Sequence, residues 1–139
     1  MSRTAIITAG GIGKRMGTAI PKQFLMLKGK PLLCWTIQQF YDFDSKMQII
    51  VSLPKEWMGF WEELCEENQF TIQHQLVAGG EERFHSIQNA LTYAKGDLIA
   101  IHDGVRPLVS QMLIQMGFDT AEIKGSAIPV IGLKESIRE

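Results

Sequence analysis

The first candidate site is a glycine-rich loop near the start of the chain. It follows a short apolar run and contains the small residues Ala9, Gly10, Gly11 and Gly13 and, among its cations, Arg15 and Lys22. Glycines after a strand let backbone N–H groups converge on an anion, and neighbouring cations add charge. Glycines in such a turn are by themselves equally typical of a tight connection without a ligand. Arg15 and Lys22 favour a ligand with several negative charges, such as a phosphate ester.

Two familiar nucleotide motifs do not fit this loop. A Walker A loop ends in Gly-Lys-Ser/Thr and has a glycine five positions earlier, whereas this chain has Arg15 at the end and Thr8 at the earlier position. A dinucleotide fingerprint requires a glycine where Met16 stands and opens directly into a helix, whereas this loop continues to Pro21. The loop is therefore interpreted as a phosphate site of another type.

A second cluster lies at residues 79–86, where two glycines precede Glu81, Glu82 and, further on, Ser86. Acids at the start of a helix stabilise its dipole, which explains the carboxylates without any ligand. The glycines are not explained in this way. They would let a planar base approach the backbone, with Ser86 in a position to form a hydrogen bond with the base edge. Taken alone, the cluster indicates a ligand only weakly.

A third cluster, at residues 102–107, places Asp103 and Arg106 on the loop after an apolar run. For an isolated pair at this spacing, a structural ion pair is the better interpretation. Opposite a phosphate loop, the same residues become candidates for holding a hydroxylated, phosphorylated substrate, because Arg binds phosphate in a bidentate manner. The histidines His74, His85 and His102 lack the spacing of a zinc site and are interpreted as structural or supporting residues.

Composition narrows the class of protein. The chain has 139 residues, 14 Lys and Arg against 15 Asp and Glu, and 45% hydrophobic residues. This balance argues against binding nucleic acid by bulk charge. No apolar run is long enough for a membrane span, and the N-terminus does not resemble a signal peptide, so the cytoplasm is expected. Cys34 and Cys65 occur singly and are expected to be reduced.

Periodicity predicts one α/β domain over residues 1–139. Near-continuous apolar strands alternate with helices, which is typical of a doubly wound, mostly parallel sheet with helices on both faces. The strands are predicted at residues 4–8, 47–53, 71–77, 98–102 and 126–131, a short extended piece at 24–27, and the helices at 31–40, 54–65, 82–94 and 110–123. The aromatic stripe of the second helix is interpreted as core. Ligands of such sheets bind outside the carboxyl ends of the strands, so the three clusters are predicted to line one crevice.

Taken together, the clusters resemble the 2-C-methyl-D-erythritol 4-phosphate cytidylyltransferase family. The resemblance rests on residues 9–16, 21–24, 79–86 and 102–107, whose order and spacing match over essentially the whole chain. It implies a Rossmann-like nucleotidyltransferase fold. It also implies a reaction in which the phosphate of methylerythritol phosphate attacks the α-phosphorus of CTP and releases pyrophosphate. A magnesium ion would accompany the triphosphate, with no protein ligand assigned to it.

The resemblance also implies roles for individual residues. Arg15 and Lys22 match the catalytic cations, which hold the α-phosphate and stabilise the transition state. The nucleotide is assigned to Ala9, Gly10, Gly11 and Gly13 at the triphosphate, to Gly80, Glu81 and Ser86 at the cytosine, and to Gly104 near the ribose. Asp103 and Arg106 match the acceptor side.

The end of the chain departs from the family pattern. Members run longer, and residues 135–138 are similar to the segment that introduces a dimerisation arm. We expect the arm and the rest of the C-terminal part to be absent after Glu139, and the full-length form to be a homodimer. Two alternatives stay open: a ribitol 5-phosphate cytidylyltransferase, which shares the nucleotide loops, and a non-catalytic nucleotide-binding module.

Overall fold

The computed structural model describes residues 1–10 and 20–126. Its elements in chain order are β1 (Arg3–Thr8), β2 (Met26–Leu27), β3 (Lys30–Pro31), α1 (Leu32–Phe43), β4 (Gln48–Leu53), α2 (Met58–Glu67), β5 (Gln75–Ala78), α3 (Arg83–Leu91), β6 (Leu98–Asp103) and α4 (Gln111–Lys124). The predicted fifth strand falls on residues 126–131, which apart from Ser126 lie outside the described residues.

Four strands form one parallel sheet in the order β5-β4-β1-β6, and β2 and β3 form a separate antiparallel pair. Ile7 lies between Val51 of β4 and His102 of β6. The chain therefore adds β4 and β5 on one side of β1 and then returns to place β6 on the other side. This reversal of strand order is the position where ligands of open α/β sheets bind.

Both faces of the central strands are buried, which explains their nearly continuous apolar sequences. Ile7 and Val51 belong to a large core that includes Trp61, whereas Ile6 and Ile50 pack on the opposite face in a smaller cluster. Successive residues of a strand point to opposite faces, so neighbouring isoleucines serve the two layers. The predicted doubly wound fold with helices on both faces is confirmed.

Several predicted boundaries are wrong. The third strand covers only Gln75–Ala78, because pairing with β4 begins at Gln75 and the preceding residues 71–74 are not part of the ladder. Phe24 lies in a short 3-10 turn and not in an extended piece. The third helix ends at Leu91, where Thr92 turns back and donates its hydroxyl to the Asn89 carbonyl at 2.7 Å.

Helix starts also differ from the prediction in detail. Pro31 caps α1 and ends β3, while the segment after Pro54 begins with a 3-10 turn at Lys55–Trp57 before α2. Among the described residues, no helix combines the length and the apolar character needed to cross a bilayer.

Candidate functional site

Backbone hydrogen bonds bring three loops to one edge of the sheet. Past the end of β1, the Ala9 N–H donates to the Ser52 carbonyl of β4 at 2.9 Å. On the other side, the Gly104 N–H donates to the Thr8 carbonyl at 2.8 Å. The loop after β5 begins beside β4, where the Gly79 N–H donates to the Leu53 carbonyl at 2.7 Å. The loops that follow β1, β5 and β6 therefore leave the sheet side by side.

Lys22 projects from a turn whose other members are buried. Pro21 and Gln23 are less than 2% exposed and Phe24 is 3% exposed, while Lys22 lies in solvent. The Phe24 ring packs against Trp61 at a centroid distance of 5.9 Å. Lys22 forms no ion pair with any residue that the structure describes. The buried residues thus fix the turn in place, and Lys22 is its exposed cation.

The loop after β5 is shaped by the buried Ser86 hydroxyl. Its oxygen accepts the Gly80 N–H at 3.0 Å, and its hydrogen points to the Glu82 carbonyl at 3.3 Å. A Cβ on Gly80 would overlap His85 Cβ, so glycine is required at this position. A Cβ on Gly10 would lie 4.0 Å from Ser86 Oγ, so the first loop passes close to the second. Glu81 is exposed on the same loop.

The loop after β6 contains the structural pair that its spacing predicts. Arg106 Nε lies 3.7 Å from Asp103 Oδ2, with the Arg106 side chain 76% exposed. A pair this long and exposed contributes little to stability, so the guanidinium is available to an anion. Asp103 Oδ1 accepts the Val105 N–H at 3.1 Å, which fixes the carboxylate at the start of the loop.

Helix α1 and His102 hold this loop against the core. The Thr36 hydroxyl donates to the Gly104 carbonyl at 2.8 Å, and Gln39 Nε2 donates to the Val109 carbonyl at 2.7 Å. His102 Nε2 lies 2.9 Å from the Arg106 carbonyl, while its ring meets Phe40 edge to face. A Cβ on Gly104 would lie 3.1 Å from the Thr8 carbonyl oxygen, so a larger residue would push the first and third loops apart.

Most candidate residues therefore gather at one edge of the sheet. The loops there carry Ala9, Gly10, Lys22, Gly80, Glu81, Ser86, Asp103, Gly104 and Arg106. Gly11, Gly13 and Arg15 lie outside the described residues.

Neither a metal centre nor a cysteine nucleophile is found in the part of the chain that the structure describes. No group of three or more His, Cys, Asp or Glu side chains there could hold a metal ion. Both cysteines are free, as predicted, and burial raises the pKa of the Cys34 and Cys65 thiols to about 12. The thiols therefore stay protonated at neutral pH and are poor nucleophiles.

Sequence reasoning assigned no role to Gln23 or Thr36, whose side chains hold the loops in place. Gln23 Nε2 donates to the Ala9 carbonyl at 2.6 Å, and Thr36 performs the same task for Gly104. The sequence did contain one sign of the role of Gln23, because this polar residue stands between the apolar residues Pro21 and Phe24. For Thr36 no comparable signal exists, because a threonine inside an amphipathic helix is common.

The reversed strand order and the glycine-bearing loops define the class of fold, the Rossmann-like α/β fold of nucleotidyltransferases. A solved structure titled 2-C-methyl-D-erythritol 4-phosphate cytidylyltransferase, from Thermus thermophilus, matches with a TM-score of 0.77 at 27% identity, covering 100% of this chain and 59% of that one. The model of the 2-C-methyl-D-erythritol 4-phosphate cytidylyltransferase family matches residues 3–139, and the chain belongs to that family.

Curated relatives agree with the family model. Proteins of that name from Bacteroides fragilis and Phocaeicola vulgatus are 52% and 50% identical over 139 residues. In both cases the match covers 99% of this chain and 64% of the relative. The chain thus spans a little under two thirds of the length of these relatives.

Proposed function

We propose that the complete protein is a cytidylyltransferase that transfers CMP from CTP to 2-C-methyl-D-erythritol 4-phosphate and releases pyrophosphate, in isoprenoid precursor synthesis. The observation that carries this proposal is the meeting of three loops, rich in glycine and charge, at the reversal of strand order. The names of the relatives support the same reaction. The family resemblance supports the individual roles.

The reaction forms one P–O bond and breaks another. An acceptor phosphate oxygen attacks the α-phosphorus of CTP, and the bond from that phosphorus to the pyrophosphate leaving group breaks. Such transfers depend on positioning and on stabilising charge at the phosphoryl oxygens. Lys22, exposed on its rigid turn, and Arg15 would supply that charge, while the amides of Ala9, Gly10, Gly11 and Gly13 would cradle the triphosphate.

The loop after β5 would read the base. Gly80 leaves room for the cytosine ring, and Ser86 holds the loop through its bond to the Gly80 amide. Glu81 is exposed, and its carboxylate forms no ion pair with the described residues, so it is free to accept from the cytosine amino group. Gly104, at the neighbouring strand end, would lie near the ribose.

The loop after β6 would hold the acceptor. Arg106 is exposed and only loosely paired, which suits a bidentate contact with a phosphate. Asp103 would accept hydrogen bonds from the acceptor hydroxyls. Asp103 and Arg106 would suit ribitol phosphate, a longer polyol phosphate, equally well. An experiment is therefore needed to identify the acceptor.

Magnesium fits this site as a partner of the nucleotide. Because the described residues contain no cluster of three metal-binding side chains, phosphate oxygens would supply most of the ligands, as Mg²⁺ prefers. When bound, the ion would neutralise charge on the triphosphate. We further propose that the enzyme acts in the cytoplasm and, in its complete form, as a homodimer, which sedimentation of the complete protein would test.

The test measures pyrophosphate release with CTP and magnesium. Methylerythritol phosphate, ribitol phosphate or no acceptor is offered to the complete natural chain and to residues 1–139. Release only with methylerythritol phosphate supports the proposal. Release with ribitol phosphate instead identifies the sister activity, and CTP binding without turnover by the complete chain identifies a non-catalytic module.

A further inference from the structure

Gln23 is an unusual choice for its position. Its side chain is 1% exposed, between Pro21 and Phe24, which are also buried. A buried amide is costly unless both its donor and its acceptor groups are hydrogen-bonded. Leucine or methionine would fill a buried site in this turn without that cost.

Among the described residues, only one of the two polar atoms of the Gln23 amide has a hydrogen-bond partner. Nε2 donates to the Ala9 carbonyl at 2.6 Å, but Oε1 is buried without a hydrogen-bond partner among the described residues. One internal hydrogen bond contributes about 0.5–1.5 kcal/mol, whereas an unsatisfied buried group costs about 1–3 kcal/mol. Stability alone therefore does not explain why an amide occupies this site.

The hydrogen bond joins two parts of the proposed phosphate site. Ala9 directly follows β1, and its N–H donates to the Ser52 carbonyl at 2.9 Å. Gln23 is adjacent to Lys22, the exposed cation of the turn. The bond thus spans 14 residues of sequence and sets how far Lys22 lies from the strand end that begins the loop.

We propose that Gln23 is a positioning residue, whose hydrogen bond to Ala9 fixes the position of Lys22 relative to the carboxyl end of β1, so that Lys22 reaches the phosphorus of a nucleotide bound there. This inference rests on the proposed function. The Phe24 ring, packed on Trp61 and Phe60, anchors the rest of the turn. Loss of the hydrogen bond should therefore displace Lys22 without unfolding the turn, and a displacement of about 1 Å can cost about 100-fold in rate.

The test is Gln23→Met in the complete chain, because methionine keeps the length of the side chain and removes both polar atoms. We expect kcat to fall roughly 10- to 100-fold, with a much smaller change in KM for CTP. Thermal stability should change little, because removing the unsatisfied Oε1 offsets the lost hydrogen bond to the Ala9 carbonyl. A matched control is Gln48→Met at the opposite edge of the sheet, where the amide also bonds a backbone carbonyl, that of Tyr93, at 2.9 Å. That variant should lose stability and keep kcat.

A double-mutant cycle separates positioning from a purely structural role. If Gln23 acts through Lys22, Gln23→Met should reduce kcat little further once Lys22→Ala is present. Additive losses, an unchanged kcat for Gln23→Met, or a kcat loss matched by lost stability would overturn the positioning role alone. A wild-type complete chain that releases no pyrophosphate with any acceptor would overturn the proposed function and this inference with it.

Discussion

The amino and carboxyl edges of the parallel sheet differ in how their buried hydroxyl and amide side chains are hydrogen-bonded. At the amino edge, the Thr4 hydroxyl donates to Gln48 Oε1 at 2.7 Å and accepts the Gly96 N–H at 2.8 Å. At the carboxyl edge, Ser52 Oγ and Gln23 Oε1 are buried without hydrogen-bond partners among the described residues. The amino edge is arranged for stability, whereas the carboxyl edge keeps polar groups that stability does not require, as functional sites often do.

Arg3, also at the amino edge, has its charge compensated although one guanidinium nitrogen lacks a partner. Its Nε is buried without a hydrogen-bond partner among the described residues. Nη1 of the same group donates to Asp44 Oδ2 at 3.1 Å, and the guanidinium carbon lies 5.2 Å from the centroid of the Phe43 ring. The charge is therefore compensated within the fold and not offered to a ligand.

Two exposed carboxylates, Asp97 and Glu81, show a related difference. At the amino edge, Asp97 accepts hydrogen bonds from both the backbone and the hydroxyl of Ser2, and these bonds lower the pKa of its carboxyl group. At the carboxyl edge, Lys22 and Glu81 have no ion pair within residues 1–10 and 20–126. The unpaired charges of Lys22 and Glu81 support our proposal that ligands bind at the carboxyl edge.

The largest expected effect is that of Lys22→Ala on the rate. We expect kcat to fall by about 10²–10³-fold, the usual cost of removing one preorganised charge or donor from a transition state. CTP affinity should fall less, and stability should not change because the side chain is exposed. Steady-state kinetics and nucleotide titration measure the two losses. Equal losses in rate and affinity would contradict a transition-state role, and Lys46→Ala, near the amino edge, is the control.

Thr4→Val should show that the amino edge contributes stability. The substitution leaves the Gly96 N–H without its acceptor, while Gln48 Oε1 keeps only the Lys95 N–H at 2.8 Å, so we expect the free energy of unfolding to fall by about 1–3 kcal/mol with kcat unchanged. Thr8→Val is the matched variant on the same strand. Its hydroxyl makes only a 3.4 Å contact with the His102 carbonyl, so its loss should be smaller. Urea unfolding of both variants checks the order, and the reverse order would refute the contrast.

A smaller, pH-dependent effect should come from His74, immediately before the amino end of β5. Its Nε2 accepts the Trp61 indole N–H at 2.9 Å and its Nδ1 lies 2.8 Å from the Ile72 carbonyl, so the ring is held neutral with the proton on Nδ1. Burial lowers the pKa of His74 below its ordinary value of 6.5. As the pH falls, His74 therefore gains its proton in the unfolded chain before it does so in the folded protein. Stability should decline below about pH 6.5 and level off beneath the folded pKa.

Urea unfolding between about pH 8 and about pH 5 measures this decline. His74→Gln should flatten it, because the titrating group is gone. An unchanged slope in the His74 variant would assign the pH dependence to other groups.

The smallest expected effect is that of Ser52→Ala at the carboxyl edge. Its hydroxyl makes no hydrogen bond with the described residues, so removing it should change the free energy of unfolding by less than about 1 kcal/mol. Ser86→Ala, which deprives the Gly80 amide of its acceptor, should cost more and weaken CTP binding. Urea unfolding ranks the two variants. A larger loss of stability for Ser52→Ala would show that the Ser52 hydroxyl contributes to stability, contrary to the difference between the edges.

Prediction from sequence succeeded where the signal is local. β1, β4 and β6 are apolar runs that end at glycine, proline or charge, and each was located to within a residue or two. The third strand was predicted too long, because residues 71–74 have the composition of a strand but no partner to pair with. The roles of Arg15, Lys22 and the other site residues came from their resemblance to a family and stay predictions.

The amino-acid sequence by itself determined the order of strands and helices and the position of the glycine-bearing loops, because periodicity and turn residues act over a few neighbours. Only the tertiary structure decided that β6 lies beside β1 and that the loops after β1, β5 and β6 therefore meet. It also decided that Gln23 is buried against Ala9, since that depends on how Phe24 packs on α2. Pairings between distant segments depend on the whole core, and no local pattern encodes them.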